Sequence, residues 1–97
     1  MMLLEERLAD FSGSVGAAGT RAPDGYPQWG HWNYETHMSD IKELWADIRP
    51  QLKRDVDQAS FIDSKLQEMF AAFESGEKEK GRAAAWAIYN SGVEKLR

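Results

Sequence analysis

From Ile41 to Phe73 the apolar residues keep one helical phase, and a proline stands in the middle of them. Ile41, Leu44, Trp45, Ile48, Leu52, Val56, Ala59, Ile62, Leu66, Met69, Phe70 and Phe73 recur in steps that lay a single stripe along an α-helix. Ser39 is a good N-cap, and Asp40 and Glu43 put acids where they complement the helix dipole. Pro50 objects. It removes an intrahelical donor and clashes with the carbonyl of Ala46, at a cost of about 3 kcal/mol. The preserved phase predicts a kinked or briefly interrupted helix over residues 39–75. The alternative is two helices, the second capped by Ser60 with Asp63 three residues on.

The flanks follow from local chemistry. Gly76 is placed to end the long helix in a left-handed conformation, and 77–97 reads as a last helix with Trp86, Tyr89, Val93 and Leu96 in one seam. Ala83, Ala84, Ala85 and Ala87 let a neighbour approach closely, while Gly92 costs about 1 kcal/mol against alanine. So short a turn makes the two helices antiparallel. At the other end Leu3, Leu4, Leu8 and Phe11 fit a short amphipathic helix over 1–11. Gly13, Gly16 and Gly19 then raise the backbone entropy cost of regular structure, and 12–38 reads as a linker. It passes through the turn signature "RAPDG" into "DGYPQWGHWNYETH". The expected fold is all-α, in one small domain. An antiparallel helical hairpin, its long helix kinked or broken near Pro50, carries the short N-terminal helix and the aromatic-rich loop.

Length then raises a packing problem. A helix over 39–74 extends about 54 Å and the last helix only about 30 Å. The last helix therefore leaves Ile41, Leu44, Trp45, Ile48 and Leu52 uncovered, at about 1.5–3 kcal/mol for each side chain left wet. Tyr26, Trp29, Trp32 and Tyr34 are the nearest apolar material in sequence. They are expected to drape over this stripe, to share it with a second copy in a homodimer, or to stand exposed as a binding surface.

Composition narrows the partners. A formal charge of -4 lacks the dense cationic field that duplex binding needs, so nucleic acid is an improbable partner. No apolar run approaches the roughly 20 residues of a membrane span. Glu5, Glu6 and Asp10 interrupt the apolar start, which is not the pattern of a secretory signal. The chain has no cysteine, which excludes disulfides and thiolate metal sites and makes the cytoplasm the default location.

The residue types of catalysis are sparse. His31 and Glu35 are four apart, but His37 falls off that face and the paired-histidine spacing of a zincin is missing, so no metal is expected. "GSVGAAG" lacks the lysine and Ser/Thr of a phosphate loop. Asp55 and Asp57 point apart on a helix and cannot share a proton. Neither enzyme activity nor a cofactor is expected. The composition suits a small binding or regulatory protein (inhibitor, adaptor or subunit) that acts on another protein. Tyr26, Trp29, His31, Trp32 and Tyr34 are its candidate contact residues, with Lys78, Lys80 and Arg82 as a small basic spot. The alternative is a helical oligomer that binds a nucleotide or small anion where the aromatic loop meets this spot.

Overall fold

The computed structural model describes residues 3–26 and 33–97, and the regular elements among the described residues are all helical, with no strand. The order is α1 (Leu4–Arg21), α2 (Tyr34–Ile48), a 3-10 turn (Arg49–Gln51), α3 (Val56–Glu74), α4 (Lys78–Tyr89) and a last 3-10 turn (Val93–Lys95). One core joins all four helices, with Leu8, Phe11, Val15, Ile41, Ile48, Ile62, Met69 and Ile88 fully buried.

The segment expected to be a glycine linker is helix. Leu8, Phe11, Val15, Ala18 and Ala22 form a buried stripe that carries α1 through all three glycines. Two of the three, Gly16 and Gly19, meet a neighbour. A Cβ on Gly19 would lie 2.6 Å from the Trp86 indole, and one on Gly16 would lie 3.1 Å from the Tyr89 ring. Aromatic rings of α4 thus rest on bare α1 backbone, and Trp86 Nε1 donates to the Gly19 carbonyl at 3.1 Å. Interhelical packing offsets a propensity cost of about 1 kcal/mol per glycine.

This longer α1 supplies the cover that the stripe on α2 needs. Ile41 and Ile48 are fully buried, Leu44 is half-buried, and Trp45 stacks on Phe11 with ring centroids 5.1 Å apart. Arg7 and Asp47 pair at 3.1 Å along the same contact. Among the described residues the cover therefore comes chiefly from α1. Of the loop aromatics Tyr26 and Tyr34 pack partly on the core, while Trp29 and Trp32 fall outside the described residues.

Residues 39–75 follow the alternative of two helices, broken at Pro50, and not one kinked helix. Pro50 sits in the 3-10 turn, and the chain reverses between Ile48 and Val56. Trp45 meets Asp63 and Tyr34 meets Phe73, so α2 and α3 run antiparallel. The capping residues also differ from expectation. Asn33 caps α2, its Oδ1 accepting from the Thr36 N–H at 2.9 Å, and Ser39 is an exposed residue inside the helix. Ser60 lies a turn inside α3 and donates to the Val56 carbonyl.

The last segment splits as well. Gly76 takes the left-handed conformation, with φ 83°, and α4 packs back on α3. Its buried face is Gly81, Ala84, Ala85 and Ile88, whereas Trp86 and Tyr89 stay partly exposed. Gly92, with φ 79°, then turns the chain away before Val93 and Leu96 re-enter the core. The Arg97 carbonyl oxygen accepts the backbone N–H groups of Lys53, Arg54 and Asp55 at 3.1, 2.8 and 3.0 Å. That clasp ties the end of the chain to the α2–α3 connection.

Candidate interaction groove

Of the sequence-predicted residues the structure describes Tyr26, Tyr34, Lys78, Lys80 and Arg82. Trp29, His31 and Trp32 lie outside the described residues. Tyr26 is half-buried and turned toward His37, which is itself fully buried. His37 Nε2 lies 2.7 Å from the Ser14 carbonyl oxygen, which can only accept, so Nε2 carries the proton. Nδ1 is then left to accept from the Tyr26 hydroxyl at 2.5 Å. Burial lowers the basicity of His37, and it pushes the Tyr26 phenol above its usual range. The group joins α1, α2 and their connection, and its polar atoms face each other inside the protein.

The basic spot is largely spoken for. Lys78 Nζ meets Asp24 at 3.0 Å, and Arg82 lies 3.7 Å from the same carboxylate while its Nε donates to the Ala22 carbonyl at 2.7 Å. The Lys78 hydrogen bond holds the Asp24 carboxyl below its ordinary range. Lys80 alone of the three is exposed, the other two being half-buried. Two members of the spot thus anchor the α1–α2 connection to α4.

Tyr34 leads to a feature that the sequence does not announce. α2 packs chiefly on α1, and it meets α3 mainly through side chains. The space between α2 and α3 opens as two clefts, of about 250 and 340 Å³, that share Lys42 and Phe70. Met38, Trp45, Leu66 and Phe70 line the floor, and the Lys42 ammonium lies 4.7 Å from the Phe70 ring centroid between the clefts. At one end Asp63 accepts from Trp45 Nε1 at 2.6 Å and from Arg49 Nε at 3.1 Å, which closes that end with a neutral set. At the other end stand Glu35 and Glu74, with Tyr34 between the helices and edge-on to Phe73. Burial and the nearby Glu74 raise the Tyr34 phenol pKa. Neither glutamate has an ion pair among the described residues.

Sequence reasoning missed this groove because it treats Ile41 to Phe73 as one continuous face. The signal that points to it is the same Pro50 taken as a full reversal, which sets Trp45 opposite Asp63. A second exposed apolar feature is the Trp86–Tyr89 pair, edge-to-face at 5.3 Å, with Trp86 38% and Tyr89 43% exposed.

Among the described residues no three His, Asp or Glu side chains stand together as a metal site. No helix among them is long and apolar enough to cross a membrane. Comparison with known proteins assigns nothing further: no family model, no curated protein and no solved structure matches the chain.

Proposed function

We propose that the chain is a non-catalytic binding protein that acts by occupying a surface of another protein, with the α2–α3 groove as its contact site. The observation that supports this reading is the groove itself. Its floor is apolar, its walls are two helices, and charged side chains mark its ends. Concave apolar channels between helices are where helical modules receive ligands. A cysteine-free chain suits a reducing cytoplasm. Self-association is a separate proposal and draws on the exposed Trp86 and Tyr89. A small-anion site would need free cations beside the aromatic segment. Lys78 and Arg82 are engaged by Asp24, so no observation favours that reading.

Photo-crosslinking in the cells that make the protein tests the proposal. A photoreactive residue replacing the exposed Gln67, on the groove wall, is expected to capture a protein. The same residue replacing the exposed Asp10, on the outer side of α1, is expected to capture none. Equal capture from both positions, or none from Gln67, overturns the assignment of the groove.

A further inference from the structure

We propose that the groove takes a single amphipathic helix, aligned with α2, that carries a basic residue near its amino terminus and apolar residues four and eleven positions further on. This rests on the protein-binding reading above and specifies the partner.

The spacing comes from the cleft positions. Met38 lines one cleft and Trp45 the other, seven residues along α2, which is about 10 Å of helix rise. A helix lying beside α2 fills both with side chains seven apart, since that step returns to the same face. Glu35 stands about one turn before Met38, so the residue four positions ahead of the first anchor falls between Glu35 and Glu74.

Charge decides the chemistry and the direction. Glu35 and Glu74 line the open end with no ion pair among the described residues, and Lys42 of the same cleft lies over the Phe70 ring, while the opposite end is already neutralised by Arg49 and Asp63. A Lys or Arg on the partner supplies what that mouth lacks. The positive amino-terminal end of the incoming helix dipole is favoured at the same place, which sets the orientation. Among the described residues Lys42 is the cation that lines both clefts, it has no carboxylate partner, and its position over Phe70 lets it swing outward as the anchors enter.

Three synthetic 18-residue helices in an Ala/Gln background test this. The first has Lys at position 4 and Leu at positions 8 and 15; the second replaces Lys by Glu; the third keeps Lys and replaces both Leu by Ser. Binding is followed by anisotropy of labelled peptide and by the NMR signal of the Trp45 indole N–H. The first peptide is expected to bind about tenfold more tightly than the second at low salt, from two rim ion pairs gained or lost, and to move the Trp45 signal. The third is expected not to bind. In the E35K/E74K variant, both substitutions lying on exposed side chains, the order of the first two peptides reverses. Equal binding of the first two peptides, or binding of the third, overturns the proposed partner. Failure of all three while Gln67 still crosslinks a protein overturns it too, and leaves the protein-binding reading standing. Failure of both experiments removes that reading as well.

Discussion

The Trp86 indole occupies the space that a side chain on Gly19 would need, and its N–H is bonded to that residue's carbonyl. A glycine-rich run is thereby turned into a helix interface. Gly19→Ala forces the ring off the helix, and overpacking of this kind costs about 1–3 kcal/mol, more than the helix propensity that alanine restores. Gly13 is the internal control. It is in the same helix and exposed, with nothing near the position of an added Cβ. Gly13→Ala is expected to stabilise by about 0.5–1 kcal/mol. Urea unfolding of the two variants should shift the midpoint in opposite directions; equal shifts would contradict the close contact.

The α2–α3 connection depends on Asp63. Asp63→Ala removes the acceptor of Trp45 Nε1 and the partner of Arg49 together. Leaving the indole donor unsatisfied costs about 1–3 kcal/mol. The Arg49 pair adds little, because both side chains are a third or more exposed. Thermal unfolding should show the loss, and the Trp45 indole signal should move toward the position of a solvent-bonded indole.

His37 makes stability depend on pH in a defined direction. Its basicity is lowered in the folded protein by burial, so between the folded value and the ordinary value near 6.5 the unfolded chain binds the extra proton. Stability is therefore complete above about pH 6.5 and is lost as pH falls below it. Asp24 and Asp55, whose carboxyls are lowered by Lys78 and Arg54, act in the same direction only below about pH 4. His37→Gln should flatten the melting-temperature profile between pH 7 and 5 while leaving the acid limb. A variant profile parallel to that of the wild type over this window would refute the assignment.

The clasp at Arg97 gives a local prediction. Deletion of Leu96 and Arg97 removes a buried leucine, worth about 1.5–3 kcal/mol, and the shared acceptor of three backbone donors. Hydrogen exchange should show the Lys53, Arg54 and Asp55 amides protected in the full chain and rapidly exchanging in the deletion. Amides inside α1 should change only by the global loss of stability.

Much of the helical content is legible residue by residue. The apolar period over Ile41 to Phe73 lies mostly in α2 and α3, and the left-handed Gly76 follows the end of α3, whereas Asp40 and Glu43, expected at a helix start, lie inside α2. Errors arose wherever a residue has two uses. Gly16 and Gly19 are poor helix formers in isolation and good contact points for a ring, and only the position of α4 decides between these. Pro50 ends a helix by its own chemistry, but the angle at which the chain leaves depends on what the next helix can bury. Of the candidate site, Tyr34 was visible as an aromatic near a helix start. Lys42, Leu66 and Phe70 were not, since core periodicity accounts for the two apolar residues and a solvated helix face for the lysine.

What this sequence determines alone is the local menu: where helices can run and where they must stop. Those properties come from backbone sterics and from periodicity, which act over a few residues. Tertiary structure decides which faces meet. It sets α1 over the α2 stripe, commits Lys78 and Arg82 to Asp24, and opens a channel between α2 and α3. Burial is shared among elements distant in sequence, so the residue that covers a side chain is settled only when every helix competes for the same core.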